Sequence, residues 1–312
     1  MRSSARKARG GLFAPPLRVW IAAAAVFALL FILSASAFWD LRYNEKPFME
    51  DSRKRLEALS ERDKKGLRVV AIGSSLFRRA IFFDGRMEAF AADNGFSGLE
   101  FLRITRPGCE IKDFEPFFDR VLDARPDVLL IESDALFFVR PRRDFFREYP
   151  DFMRHVLLKS MSSKRLVFPR FAVQEIDGAT DLPVITEGLG TAQMNELGLR
   201  NLKQRLPAEG LGANALLQKA AAMGIRLVIV DMRREPGFEK FAGIERAQTA
   251  ALAKNLPAEY GAALISHPEE LGREYYWDYA HLNEEGRRRF SLWLLGALKG
   301  MGGALKGMEG GA

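Results

Sequence analysis

The chain has 312 residues, 48% of them hydrophobic and 28% charged, a globular balance with room for one large domain and appendages. Its formal charge of +7 gathers at the amino end, where Arg2, Arg6, Lys7, Arg9 and Arg18 precede the first apolar run with no acidic residue among them, so the remainder is close to balanced and the pI gives a nucleic-acid partner little support. A single cysteine, Cys109, excludes an intramolecular disulfide and any multi-cysteine metal site, and its plain reading is a small buried filler. Zinc-finger spacing, a helix-turn-helix signature, an aromatic ribonucleoprotein motif and a nucleotide-binding glycine loop are all missing from the sequence, so no nucleic acid and no cofactor is expected.

From Val19 to Trp39 the sequence VWIAAAAVFALLFILSASAFW carries no charge. At about 1.5 Å per residue such a helix spans the roughly 30 Å hydrocarbon core of a bilayer. Trp20 and Trp39 stand at its two ends, and the basic tail of residues 1–18 keeps the amino end cytoplasmic. Residues after 40 then face the periplasm or the cell exterior, and the expected location is a single-pass bacterial inner-membrane protein. Ala35-Ser36-Ala37 also offers a small-x-small cleavage pattern, so a cleaved signal sequence is the alternative to an anchor, and a buried helix of a soluble protein is a third.

Residues 40–66 are largely polar and charged, with Leu56 and Leu59 at helical spacing, and read as a helical stalk. The domain proper is expected over 67–298. LRVVAIGSS (67–75) is a β-branched run stopped by Gly and Ser and predicts a buried strand. A helix follows at 86–94, a strand at 99–105, an amphipathic helix at 114–125 and a buried strand at 126–133. After a gap come a helix (214–224), a strand (225–232), a helix (244–256), a strand (261–267) and a final helix (284–298). Five mostly apolar strands alternating with helices predict an α/β fold: a three-layer α/β/α sandwich around a five-stranded parallel sheet, preceded by one transmembrane helix. Residues 140–212, rich in Arg, Gly and Pro, break the rhythm and read as an insertion, either substrate-shaping or disordered. The repeat of GALKGM at 296–301 and 303–308 predicts a flexible tail over 299–312.

Reactive groups in open parallel sheets collect at the carboxyl ends of the strands. Here the first strand ends in Gly73-Ser74-Ser75-Leu76, a serine on a strand-to-helix turn with helix amides behind it. Such a turn is also a common plain loop. Near the other end lies Trp277-Asp278-Tyr279-Ala280-His281-Leu282-Asn283. Of the three histidines, His155, His267 and His281, only His281 has a carboxylate three positions before it. In a tight turn that spacing lets Asp278 take a hydrogen bond from one ring nitrogen and aims the other at a serine. The competing reading is that His281 and Asn283 only cap the final helix. Arg78 and Arg79 follow the serine closely and are read as a solvated helix face, with attraction of an anionic polymer as the alternative.

An early Gly-x-Ser-Leu paired with a late Asp-x-x-His resembles the SGNH/GDSL hydrolase superfamily across Leu67 to Leu298. That resemblance implies Ser75 as nucleophile, Asp278 and His281 as its partners, and an oxyanion hole from the backbone N–H groups of Ser75 and Gly108. The chain departs from the pattern twice. Ser74 replaces the usual aspartate, and Ile131-Glu132-Ser133-Asp134 stands where Gly-x-Asn-Asp is expected. Loss of an oxyanion donor typically costs ~10²–10³ in rate. Ser133 is the candidate replacement through its hydroxyl, whereas Glu132 and Asp134 would donate only if protonated. With the amino-terminal anchor, these departures look more like the membrane-anchored SGNH-like proteins of bacterial envelope-polymer acylation. The resemblance implies O-acetyl transfer or removal on an envelope polysaccharide through an acyl-serine, beside a multispanning membrane-bound O-acyltransferase as partner. Two rival readings are a non-catalytic glycan- or partner-binding protein that kept the fold, and a lipase or thioesterase acting on membrane-derived acyl chains.

Overall fold

A computed structural model describes residues 16–43, 46–139, 213–242, 251–268 and 270–309, with isolated positions between 149 and 207. The chain divides into two compact units, Met1–Asn44 with Phe145–Pro169, and Glu45–Asp144 with Arg170–Ala312.

The first unit is built on helix α1 (Leu17–Tyr43), which starts directly after Pro16. Proline supplies a preset φ at a helix start and lacks only an N–H that would have no partner there. The stretch Leu17–Ser36 has a mean hydropathy of 2.4 and is long and apolar enough to cross a membrane. Trp20, Ile21, Phe27, Leu30 and Leu33 are all exposed, so the helix is apolar around its circumference, as a helix in lipid is. Within this unit the Tyr149 hydroxyl lies 2.5 Å from Ser34 Oγ, and its ring meets Phe31 edge-on at 5.4 Å.

The second unit holds a parallel sheet of β1 (Leu67–Gly73), β2 (Leu99–Thr105), β3 (Val128–Glu132), β4 (Arg226–Asp231) and β5 (Ala263–Ser266) in the order β2-β1-β3-β4-β5. Its helices are α2 (Lys46–Glu61), α3 (Ser75–Ala80), α4 (Asp84–Asp93), α5 (Phe118–Asp123), α6 (Ser133–Phe137), α7 (Asn214–Ala222), α8 (Pro236–Ala242), α9 (Leu256–Tyr260) and α10 (Glu284–Glu309). Residue alternation sorts the strands into two cores. Val70, Ile72, Leu129, Ile131, Leu227 and Ile229 face the layer that contains α2, α5 and α7. Val69, Ala71, Val128, Leu130, Val228 and Val230 face α3, α4 and α10. A strand buried on both faces must be apolar throughout, which is why these runs lack the polar alternation of a one-sided sheet. The result is the three-layer α/β/α sandwich with the doubly wound strand order of flavodoxin-like folds. Because the chain leaves β1 first to one side and then to the other, the switch point opens between the carboxyl ends of β1 and its neighbours.

Several elements differ from the sequence expectation. The segment expected as a stalk contains α2, whose Phe48, Leu56 and Leu59 are buried in the first core, with Phe48 edge-on to Phe114 and Phe117. The expected helix 114–125 is a 3₁₀ turn (Ile111–Phe117) followed by α5, because Pro116 interrupts α-type bonding. Helix α10 runs through the GALKGM repeats to Glu309, where the sequence predicts a flexible tail. Most of the insertion 140–212, and residues 244–250 of the expected helix 244–256, lie outside the described residues. Leu206–Pro207 from that insertion pairs antiparallel with Phe138–Val139.

Candidate active site

Strand β1 ends at Gly73, and Ser74 leaves the strand in an extended conformation while its Oγ accepts from the Leu76 N–H at 3.2 Å. This is an N-cap, and it makes Ser75 the first residue of α3. On the far side of the sequence, the strands of a tight turn meet at Tyr276 and Leu282, and the Trp277 N–H donates to the His281 carbonyl at 2.8 Å. Inside that turn Asp278 Oδ1 accepts from the N–H groups of Ala280 and His281, both at 2.8 Å. The carboxylate is thereby fixed by backbone before it meets the imidazole.

His281 Nδ1 lies 2.8 Å from Asp278 Oδ2 and 3.0 Å from Oδ1, and His281 Nε2 lies 2.9 Å from Ser75 Oγ. The structure thus brings together Ser75, His281 and Asp278 in one hydrogen-bonded line across 206 residues of sequence separation. Asp278 is buried, and His281 keeps about a fifth of its side chain exposed. Burial alone would raise the Asp278 pKa, but the His281 hydrogen bond, the electrostatic attraction of that ring and the two backbone donors outweigh it and hold the carboxyl below its ordinary range. An ionised Asp278 puts the proton on Nδ1 and leaves Nε2 as an acceptor toward the serine. Asn283 has the separate task of capping α10, its Oδ1 accepting from Gly286 N–H at 3.0 Å.

No family model matches the chain, and no curated protein matches it. Solved structures similar to it include a lipase/acylhydrolase from Enterococcus faecalis, at 12% identity over 75% of this chain and 96% of that one, with a TM-score of 0.37. A catalytic mutant of an acetylxylan esterase from Geobacillus stearothermophilus also overlaps, at 12% identity over 75% of this chain and 97% of that one, with a TM-score of 0.37. Overlaps this loose leave the chemistry to the chain's own geometry.

The remaining predicted residues lie at the same end of the sheet. Gly108 sits at φ +59°, a conformation that favours glycine, in the loop after β2. That loop is pinned to the end of β1 because both the Arg106 N–H and the Cys109 thiol donate to the Gly73 carbonyl. Cys109 is therefore buried at the base of the site. The Ser133 hydroxyl is buried and accepts from the Met232 N–H at 3.3 Å, at the junction of β3 and β4. Asp134 forms a buried ion pair with Arg234, Oδ2 to guanidinium at 2.5 Å. Of the other histidines, His155 lies outside the described residues, and His267 is buried against Phe290 and Trp293.

The solvated face expected at Arg78 and Arg79 is not found. Arg78 is buried, and the Arg79 guanidinium lies over the Trp277 ring at 5.1 Å, tied to the turn that carries Asp278 and His281. The physical reason is that α3 is covered by α10 and β2, which buries Arg78 and leaves Arg79 half-buried at the margin.

Glu132 is the residue whose role the sequence reading missed. It is fully buried at the end of β3, where Oε2 accepts from the Ser74 N–H at 2.6 Å and the Phe77 N–H at 3.1 Å. Oε1 lies 2.5 Å from Ser74 Oγ. Both oxygens are engaged under the serine turn, so Glu132 is not a replacement oxyanion donor. Burial, then repulsion by Asp134, pushes its pKa up to about 7, against the hydrogen bonds from Ser74 and Phe77 that favour the carboxylate.

Proposed function

We propose that the protein is a membrane-tethered serine esterase or O-acyltransferase of the SGNH/GDSL type, acting outside the cytoplasm on an acylated envelope polysaccharide. The observation that carries this reading is the continuous Asp278–His281–Ser75 line, with 2.8 Å and 2.9 Å between successive polar atoms. In this reading His281 Nε2 takes the proton from Ser75 Oγ as the oxygen attacks the acyl carbonyl, and Asp278 stabilises the imidazolium that forms. The N–H groups of Ser75 and Gly108 receive the oxyanion, and the Ser133 hydroxyl is the third candidate donor. Collapse expels the alkoxide leaving group, which takes the proton from His281 and leaves an acyl-Ser75 ester. Water or a sugar hydroxyl, deprotonated by His281, then attacks that ester and regenerates the serine.

The apolar stretch Leu17–Ser36 behind a basic tail supports anchoring with the larger unit on the outer side. A polar polymer substrate and a membrane-bound acyltransferase partner are the finer part of the proposal and follow from the sequence resemblance. The test is fluorophosphonate labelling of the full-length chain in detergent, comparing wild type with Ser75→Ala and His281→Ala. Labelling lost in both variants is expected. A well-folded wild type that does not label would refute the esterase reading and favour a binding role.

A further inference from the structure

The serine turn rests on a buried carboxylate that the triad chemistry does not use. The Glu132 oxygens hold the N–H of Ser74, the N–H of Phe77 and the hydroxyl of Ser74, and that hydroxyl in turn holds the N–H of Leu76. Three amides around the nucleophile, those of Ser74, Leu76 and Phe77, are thereby committed, and the Ser75 N–H is not among them. Gly73 makes this approach possible, since a Cβ there would stand 2.7 Å from Glu132 Oε2. The opposite end of α3 is held by cations and a hydroxyl. Arg103 donates to the carbonyls of Arg78 and Ile81, Arg287 to that of Arg79, and Ser291 to that of Ala80. An acceptor carboxyl at the amino end and cationic donors at the carboxyl end match the polarity of the helix.

We propose that Glu132 is a positioning residue for the acyl-transfer step: through Ser74 and Phe77 it fixes α3 so that the Ser75 hydroxyl meets His281 and the Ser75 N–H stays directed at the reacting carbonyl. The proposal rests on the serine-esterase reading. A six-residue helix carries too few internal hydrogen bonds to hold its own orientation, so the position of its first residue is set by what grips its ends. Glu132 grips the end that bears the nucleophile. The groups that face it are the Ser74 hydroxyl and Asp134, and the latter is held by Arg234.

The experiment is steady-state and burst kinetics of p-nitrophenyl acetate hydrolysis by the full-length chain, with thermal unfolding of each variant in parallel. For Glu132→Ala, kcat is expected to fall by ~10²-fold with KM little changed, the scale of loss for an ångström-size misplacement of a reacting group. Glu132→Gln is expected to recover to within about tenfold of wild type, because its carbonyl still accepts both backbone N–H groups and its amide donates to Ser74 Oγ. A purely structural cap predicts a lower melting temperature with kcat intact. A folded Glu132→Ala with wild-type kcat overturns the proposal. If that variant does not fold, Ser74→Ala decides: it removes the hydroxyl that joins Oε1 to the Leu76 N–H and leaves the two Oε2 contacts in place, and an unchanged kcat there overturns the proposal equally. A wild type that neither turns over the ester nor labels at Ser75 refutes the esterase reading itself, whereas normal turnover indifferent to Glu132 refutes only the positioning role.

Discussion

Replacing Asp278 by asparagine isolates one link of the proton path at nearly constant shape. In the native turn Oδ1 is committed to two backbone N–H groups, Ala280 and His281, each at 2.8 Å. An asparagine carbonyl must take that place, because its NH₂ cannot accept from those donors. The NH₂ is then left facing His281 Nδ1 at the position where Oδ2 stood, 2.8 Å away. Nδ1 must become the acceptor, so the neutral ring carries its proton on Nε2, the atom that faces Ser75 Oγ at 2.9 Å. The ring can no longer take the serine proton. A wrong tautomer of this kind costs about 10⁴ in kcat, which corresponds to roughly 5.5 kcal/mol of transition-state stabilisation. The assay is the second-order rate of fluorophosphonate labelling for wild type and Asp278→Asn, with melting curves to verify that the turn survives. Asp278→Asn that labels within tenfold of wild type would refute the assignment of Asp278 as the group that sets the tautomer.

Two stability predictions follow from buried charge. The Glu132 pKa is raised from its ordinary 4.5 to about 7 in the folded protein, so between those values the native state keeps a proton that the unfolded chain has lost. Stability therefore falls as pH rises through that window, by on the order of 3 kcal/mol in full, and denaturant titrations of Glu132→Gln should lack that share of the decline. A parallel slope in wild type and variant would contradict it. The Asp134–Arg234 pair is exposed by only 6% and 5%, so Arg234→Met removes the cation that neutralises a buried carboxylate and should destabilise by about 3–5 kcal/mol in the same titrations. A change below about 1 kcal/mol would mean that Asp134 finds another partner or water.

Strands were legible because burial on both faces leaves a continuous apolar signature, and β2 spans Leu99–Thr105 as its sequence predicts. The Asp278–His281 contact was also legible, since a three-residue spacing in a turn is a local property. What surrounds Ser75 was not. Glu132 acts on Ser74 only because β3 pairs beside β1, with Ile72 opposite Ile131, and no local pattern in either segment encodes that adjacency. Arg78 reads as a surface residue by type, yet β2 and α10 cover the helix that bears it, and the α10 contact through Arg287 is set 208 residues downstream. The same blindness made α2 look like a stalk: its charged residues dominate its composition, while Phe48, Leu56 and Leu59 place it in the core.

The grip on both ends of α3 has a consequence for how the molecule comes into being. Its supports lie 25, 58, 208 and 211 residues away along the chain. All five strands are complete by Ser266, but Arg287 and Ser291 arrive with the last helix. Contacts of such long range form late because loop closure must precede them. Under the proposed acyl-transfer role, a nascent chain can thus hold a finished sheet and still carry an inert serine, and reactivity at Ser75 becomes a clock that starts only when the carboxyl-terminal helix has docked.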